Sequence, residues 1–276
     1  MTTSKILYLA LATCMAVSFS ATSSNSFGQS TIQVDWQADA RLIDEPSGAR
    51  GDNNGGNTAS GALIGVNAGD VDNLLIHGYE DLSAVSGQTV TGALVTIGVA
   101  TGFSAGNHGS AADDTITLSE IALGNRGWVE GNGIIGGADN PATDGSVSFL
   151  HRAEFNDGTS VDWVDSSGAA VGDIRGALTA LGTIPGYDVG GGTPFLTFSI
   201  DAVTAQRWVD EGLGGLALTA VSGDDNGRFN FLTRDNAGNV AAGVSNIVFT
   251  TAVPEPSTGL LFALGTILAF TSRRRS

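Results

Sequence analysis

Leu216-Ala217-Leu218-Thr219-Ala220 is an apolar segment that is followed by the polar cluster Asp224-Asp225-Asn226-Gly227 and then by Phe229 and Phe231. The larger apolar side chains stand at every second position on both sides of the cluster, which is the period of a β-strand with one buried face. Runs of Asp, Asn and Gly favour tight turns because these residues tolerate a positive φ. The stretch therefore predicts two short strands joined by a hairpin-type turn.

The same two-residue period recurs between residues 30 and 252. Apolar side chains alternate with polar or small ones in four further segments, which contain Ile32, Val34 and Trp36; Leu94 to Val99; Leu196, Phe198 and Ile200; and Ile247 and Phe249. The chain contains 40 glycines, and many of them lie in short Asn/Asp/Gly clusters between these segments. Many short strands separated by turns predict an all-β fold. We expect an antiparallel, jelly-roll-like β-sandwich that residues 30–252 form as one domain.

Two segments interrupt this pattern and are predicted to be short helices. Val171, Ile174, Leu178 and Leu181 follow one another at spacings of three, four and three residues, which is typical of the apolar stripe of a helix. The second helix is expected over residues 202–211, with Asp201 as its N-cap and Gly212 at its end. Both helices are expected to cover or connect sheets.

The charge of the body limits the partners that it could bind. Residues 30–252 contain eight arginines and no lysine against 27 aspartates and glutamates, a net charge of −19. Nucleic acid is therefore excluded as a partner, because binding a duplex requires a positive surface. An acidic surface is compatible with an exported protein that meets neutral sugars or divalent cations.

The first 29 residues have the order of a secretory signal peptide. A short basic start that includes Lys5 precedes the apolar residues 6–19, and small polar residues follow. Cleavage after Ala21 and cleavage near Gly28 and Gln29 both remain open. Removal of this segment takes away the only cysteine, Cys14, and the only lysine, so the body is predicted to lack an internal disulfide.

Residues 253–276 combine three features in a fixed order. The rigid Pro254-Glu255-Pro256 is followed by the uncharged residues 258–272, which are predicted to form a transmembrane helix, and then by Arg273-Arg274-Arg275. A basic cluster after an apolar run holds that end in the cytoplasm. An ordinary tail anchor would share the last two features.

With Pro-Glu-Pro in front of the apolar run, these residues resemble the PEP-CTERM sorting tail of bacterial exported proteins. The resemblance implies that a membrane-embedded exosortase recognises Pro254, Glu255, Pro256 and the three arginines and processes the tail. The protein would then be anchored in the membrane by its C-terminal helix until processing, and afterwards lie at the cell surface or in the extracellular matrix.

Residues 30–252 contain several short sequence motifs in a characteristic order. They include Leu74 to Ser83, Gly87 to Leu94, Asn125 to Gly131, Gln206 to Gly212 and Phe231 to Asn236. In this order the motifs resemble those of secreted β-sandwich modules of the DNRLRE type, whose relatives include carbohydrate-binding modules. The resemblance implies a non-catalytic body that binds carbohydrate or is associated with exopolysaccharide. A purely structural surface protein without a specific ligand is the alternative.

Three tryptophans, Trp128, Trp163 and Trp208, each precede an acidic residue by two positions. Because an indole can stack on a sugar ring while a carboxylate accepts its hydroxyl hydrogen bonds, this pattern suits sugar binding. Trp163 lies in a polar, glycine-flanked segment, and we predict that it is exposed on a loop and binds sugar together with Asp162 and Asp165. Trp128 and Trp208 match structural positions of the resembled family, and for both we favour a core position.

Metal ligands and the motifs of enzymes are the other sequence features that bear on function. Asp224, Asp225 and Asn226 belong to one of several Asp/Asn/Gly clusters that could supply oxygen ligands to Ca²⁺, although turns explain these clusters as well. No other cofactor is expected, and His77, His108 and His151 have no zinc-type spacing. No nucleophile or phosphate-binding motif is present, so we do not expect an enzyme. A polysaccharide-degrading enzyme is the least favoured alternative.

Overall fold

We describe a computed structural model of the chain. It describes residues 28–43, 62–64, 66–67, 71–79, 81–98, 115–130, 144–185, 195–221, 229–231 and 245–253. The predicted signal peptide lies almost entirely outside these residues, and so do residues 254–276 of the predicted sorting tail. Within the described part of the chain, no helix is long and apolar enough to cross a membrane.

In the described residues the secondary structure is mostly β, as the sequence predicts. The fifteen strands of the described residues are β1 Gly28–Asp35, β2 Ala38–Ile43, β3 Ala62–Ile64, β4 Val66–Asn67, β5 Val71–Gly78, β6 Val90–Gly98, β7 Thr115–Ile121, β8 His151–Glu154, β9 Ser160–Val164, β10 Ala170–Val171, β11 Leu178–Pro185, β12 Phe195–Ile200, β13 Leu216–Val221, β14 Phe229–Phe231 and β15 Asn246–Val253. The same residues contain one α-helix, α1 Ala202–Glu211, and three short 3₁₀ turns. The paired strands of the named sheets run antiparallel.

Two sheets form the main body of the fold. The small sheet has the strand order β1-β15-β6-β12, and the large sheet has the order β11-β7-β13-β5-β2, with β4 added on β5. Strand β12 shows the expected alternation, since Leu196, Phe198 and Ile200 are buried and the residues between them are exposed. A further pair, β14 with β3, stands apart from these paths.

The two sheets share one hydrophobic core, which makes the body a β-sandwich. Buried side chains of the small sheet, such as Val95, Phe198 and Phe249, belong to the same cluster as Ile116 and Leu218 of the large sheet. Packing the inner faces of two antiparallel sheets buries alternate residues of every strand. The period-two segments of the sequence supply this core.

A third layer covers the opposite face of the large sheet. Strands β10, β9 and β8 form a three-stranded antiparallel unit, which we call the outer layer. Trp163 of β9 and Phe149, which lies two residues before β8, join a second hydrophobic cluster with Ile76 and Ala217 of the large sheet. The large sheet is therefore buried on both faces, which the sequence did not predict.

Strand β13 explains why the predicted hairpin does not form. It pairs with β5 on one side and with β7 on the other, while β14 pairs with β3. Because both edges of β13 are occupied, the strand that contains Phe229 and Phe231 cannot pair with it. The prediction of two strands in this stretch is confirmed, but the prediction that they form one hairpin is wrong.

The helix predicted from Val171 to Leu181 is also wrong. This segment ends β10, makes a 3₁₀ turn at Ile174–Ala177 and continues as β11. Two glycines lower its helix propensity, and Leu178 onward pairs with β7 along the edge of the large sheet. A cross-strand partner more than 50 residues away therefore overrides the local helical spacing.

Helix α1 matches its prediction at both ends. The carboxylate of Asp201 accepts hydrogen bonds from the backbone N–H groups of Val203 and Thr204, and Gly212 ends the helix with a φ of 100°. An N-cap acid and a C-terminal glycine with positive φ are the usual boundaries of a short helix.

The chain divides into two compact units, Thr31–Thr251 and the two terminal segments together. The terminal unit contains Met1–Ser30 and Ala252–Ser276, of which the described residues are only 28–30 and 252–253. The boundaries predicted for signal peptide, body and tail remain predictions.

Candidate functional site

Trp163 is not the exposed residue that the sequence suggested. Its side chain is 0% exposed, and its indole N–H donates a hydrogen bond to the carbonyl oxygen of Ser148 at 3.1 Å. Trp163 lies in β9, where alternation turns it toward the large sheet and turns Asp162 outward. The prediction of an exposed aromatic on a loop is therefore wrong, and the buried ring offers no face to a sugar.

The two acids assigned to the same site lie in different surroundings. Asp162 is exposed on the outer face of β9. Asp165 accepts hydrogen bonds from Ser167 N, Ser167 Oγ and Ala169 N at 2.8, 2.6 and 3.0 Å, which closes the turn between β9 and β10. The hydroxyl of Ser167 and these backbone N–H groups lower the pKa of Asp165. Its carboxylate thus stabilises a turn.

Trp128 and Trp208, which the sequence suggested as structural residues, are both buried. Trp208 belongs to the core between the two sheets, and Trp128 belongs to the second cluster under the outer layer. The backbone of Gly78 approaches the Trp128 ring so closely that a Cβ at that position would lie 3.2 Å from Cζ2. Neither ring is available to a ligand on the surface.

A groove does exist in the outer layer, at the turn that joins β8 to β9. It has a volume of about 450 Å³ and is lined by one aromatic ring and four polar side chains, those of Phe155, Asp144, Asn156, Asp157 and Thr159. We call it the Phe155 groove. Phe155 is half-buried, while the tip of the turn at 156–159 is exposed.

Hydrogen bonds hold the Phe155 groove in shape. The backbone N–H of Phe155 donates to the carbonyl of Thr159, and Asp157 Oδ1 accepts from Thr159 N and Thr159 Oγ1 at 2.9 and 2.6 Å. Asp144 Oδ1 accepts from Asn156 N at 2.8 Å and thereby fixes the opposite wall. The Thr159 hydroxyl and backbone N–H lower the pKa of Asp157, so this carboxylate stays ionised through mildly acidic pH.

The residues that line the Phe155 groove could contact a small polar ligand that has one apolar face. Phe155 supplies a ring surface, and Asp144, Asn156 and Thr159 supply acceptors and donors beside it. The sequence singles out Trp163 as an aromatic residue next to acids in a glycine-containing turn. Phe155, eight residues earlier, meets the same criteria. The run Phe155-Asn156-Asp157-Gly158-Thr159 contained that signal in the sequence.

A second polar cluster lies on the exposed face of β8 and β9. His151 Nδ1 lies 2.8 Å from Glu154 Oε1, and Ser148 Oγ donates a hydrogen bond to the same oxygen at 2.5 Å. His151 Nε2 lies 3.8 Å from Asp162 Oδ1. The carboxylate lies between the serine and the imidazole, so the imidazole is not placed to accept the serine proton, as a nucleophile and its base require.

Several predicted functional residues lie outside the described residues. These are the sorting residues Pro254, Glu255, Pro256, Arg273, Arg274 and Arg275, and the proposed calcium ligands Asp224, Asp225 and Asn226. Among the residues that the structure describes, no group of three or more His, Cys, Asp or Glu side chains could hold a metal ion. Calcium binding by residues 224–226 remains a prediction.

Comparison with known families matches the tail. The model of the PEP-CTERM protein-sorting motif matches residues 252–275, which confirms the motif that the sequence predicted and supports an exported protein sorted by an exosortase. Comparison with curated proteins gives no match. These comparisons do not support the resemblance of the body to DNRLRE-type or carbohydrate-binding modules.

Proposed function

We propose that this protein is a cell-surface or extracellular-matrix component that an exosortase processes at its tail, and whose sandwich binds carbohydrate of an exopolysaccharide without cleaving it. The match of the PEP-CTERM protein-sorting motif to residues 252–275 carries the sorting part of this proposal. The body, with eight arginines against 27 acids, suits exposure to a solvated extracellular layer.

The sorting part is tested by changes in the tail. We expect replacement of Glu255 by alanine, or of Arg273, Arg274 and Arg275 by serine, to leave unprocessed precursor in the membrane fraction. Immunoblots of membrane, surface and medium fractions measure this. Normal processing and surface display of both variants would refute the role of these residues.

The carbohydrate part rests on the Phe155 groove. A half-buried ring beside Asp144, Asn156 and Thr159 offers a stacking surface and hydroxyl-binding groups in one concavity. The negative charge of the carboxylates at this groove, Asp157 above all, would repel an acidic glycan, so we assign a neutral sugar chain as the ligand.

The binding test uses the exported protein and neutral polysaccharide extracted from the producing cells. We expect Phe155→Ala and Asn156→Ala each to weaken binding about tenfold or more, which corresponds to about 1.4 kcal/mol. Ser199→Ala, an exposed change on the small sheet, serves as the control and should bind as the wild type does. Equal binding by Asn156→Ala and the wild type would exclude the groove. Absence of any binding by the wild type would favour a purely structural surface protein.

A further inference from the structure

The imidazole of His151 is held in one tautomer by Glu154. Its Nδ1 atom lies 2.8 Å from Glu154 Oε1, and the same oxygen accepts a hydrogen bond from Ser148 Oγ. Because the Glu154 oxygen already accepts the serine hydroxyl, it acts as an acceptor toward Nδ1 as well, and Nδ1 carries the hydrogen in this contact. A metal ion would then bind the lone pair of the other ring nitrogen, Nε2.

The Nε2 atom of His151 faces a second carboxylate across the strand pair. His151 and Asp162 are register partners of β8 and β9, and Nε2 lies 3.8 Å from Asp162 Oδ1. This distance is too long for a hydrogen bond. The His151 side chain is 30% exposed and that of Asp162 57% exposed, so an ion in solution reaches the space between them.

We propose that His151 Nε2 and Asp162 Oδ1 bind a divalent transition-metal ion of the Zn²⁺ class, with Glu154 as the residue that positions the imidazole. Zinc binds nitrogen and carboxylate oxygen at about 2.0–2.2 Å, so two ligands of a tetrahedral site lie about 3.4 Å apart. The observed separation exceeds this by a few tenths of an ångström. Because the Asp162 carboxylate is largely exposed, a small rotation of its side chain closes the difference.

The arrangement matches the usual support of a metal-binding histidine. In such sites the ring nitrogen that does not touch the metal donates its N–H to a carboxylate, which fixes the tautomer and makes the ligand more basic. Glu154 makes this contact, and the Ser148 hydroxyl in turn holds Glu154. Ser148 Oγ also accepts a hydrogen bond from the backbone N–H of His151 at 2.9 Å, so the support is tied to the start of β8.

The ligand set distinguishes zinc from calcium. Imidazole nitrogen suits zinc, copper and nickel, whereas Ca²⁺ takes six to eight oxygen ligands. Two protein ligands leave the other positions to water, and we therefore expect weaker binding than at a site with three or four protein ligands. The excess of 27 acids over eight arginines in the body favours any cation by long-range attraction.

The test is a calorimetric titration with ZnCl₂. It uses the exported protein in its processed form after treatment with EDTA. We expect one Zn²⁺ per chain, no competition by excess Ca²⁺, loss of binding in His151→Gln, and at least tenfold weaker binding in Asp162→Asn. Glu154→Gln keeps an acceptor for the Nδ1 hydrogen but removes the charge, and should weaken binding about 10- to 100-fold. Glu211→Gln, a change of an exposed acid at the end of α1, and His108→Gln should bind Zn²⁺ as the wild type does.

A second measurement does not depend on the folding of the variants. Acylation of wild-type His151 by diethyl pyrocarbonate, followed by mass spectrometry, should be blocked by Zn²⁺ and unaffected by Ca²⁺. Retention of the Zn²⁺ stoichiometry in folded His151→Gln, or acylation that Zn²⁺ does not slow, overturns the proposal. Lack of Zn²⁺ uptake by the wild type overturns it too. Glycan binding measured in EDTA is independent of these outcomes.

Discussion

The guanidinium of Arg207 and the carboxylate of Glu120 form a bidentate ion pair, with Nη1–Oε1 and Nη2–Oε2 distances of 2.7 and 2.5 Å. The pair joins α1 to β7 of the large sheet. One residue earlier, Gln206 Oε1 accepts a hydrogen bond from the backbone N–H of Val90 in β6 of the small sheet at 2.7 Å. Two adjacent helical residues thus attach α1 to both sheets of the sandwich.

Loss of Arg207 should be costly because its partner is buried. The Glu120 side chain is 8% exposed, and without Arg207 its charge would have no compensating partner in this pair. We expect Arg207→Ala to lower the free energy of unfolding by about 3 kcal/mol, measured by urea denaturation. Arg175→Ala is the control, because its ion pair with Asp173 is more exposed, and it should cost about 1 kcal/mol or less. Equal losses in the two variants would contradict the role of burial.

Trp163 should behave as a core residue. Trp163→Ala removes a fully buried ring from the second cluster and should cost about 3–5 kcal/mol. Trp163→Phe keeps most of the packing and loses the hydrogen bond to Ser148, which should cost about 1 kcal/mol beyond the lost volume. Val203→Ala, at a helix position that is 80% exposed, is the neutral control. A stable Trp163→Ala variant would mean that the outer layer does not pack on the large sheet as described.

The errors of the sequence interpretation share one physical cause. The sequence predicts the burial of Leu196, Phe198 and Ile200 because their alternation is local, and it predicts the cap at Asp201 because a cap acts on the next turn. The burial of Trp163 does not follow from its local sequence, because it depends on packing against a surface, including Ala217, that lies far away in the chain. Period-two alternation identifies a buried face, but it does not reveal that the opposite face is covered as well.

Only one wall of the Phe155 groove can be predicted from local sequence. The turn from Phe155 to Thr159 is readable from its Asp-Gly pair. The other wall is Asp144, which lies twelve residues before Asn156 and reaches it through the contact of its Oδ1 atom with Asn156 N. That contact follows from the pairing of residues 145–147 with 129 and 154, which no local pattern indicates.

Gly214 lies two residues before β13, and its backbone passes close to Ile121 and Ala122 at the end of β7. A Cβ on Gly214 would lie 2.5 Å from the carbonyl oxygens of Ile121 and Ala122, and neither oxygen can move without displacing the strand. We expect Gly214→Ala to destabilise the protein by about 1–3 kcal/mol in urea denaturation. Gly172→Ala is the matched control, since a Cβ there meets nothing within 4 Å, and it should change stability by less than about 0.5 kcal/mol. A neutral Gly214→Ala would show that this approach is looser than described.

His77 is a basic side chain enclosed between the two sheets. It is 0% exposed, its ring stacks on Trp36 with a centroid separation of 3.6 Å, and its register partner on β2 is the buried Asp39. Among the described residues neither ring nitrogen of His77 has a hydrogen-bond partner. Burial lowers the pKa of His77 from 6.5 to about 3, so the ring is neutral in the folded protein.

This burial predicts a loss of stability in mild acid. Below the unfolded-state pKa of 6.5 the unfolded chain binds a proton at His77, whereas the folded chain binds it only near pH 3, so the free energy of unfolding falls as the pH is lowered through this window. Between about pH 6.5 and about pH 4.5 the loss due to His77 should be about 2 kcal/mol. His77→Phe keeps a ring against Trp36 and has no titrating group, so the loss in this window should be smaller by that amount. All other ionisable groups are the same in both proteins, so the difference between the two pH profiles, measured by urea denaturation, isolates His77. Parallel profiles would show that His77 takes up its proton in the folded state as readily as in the unfolded chain.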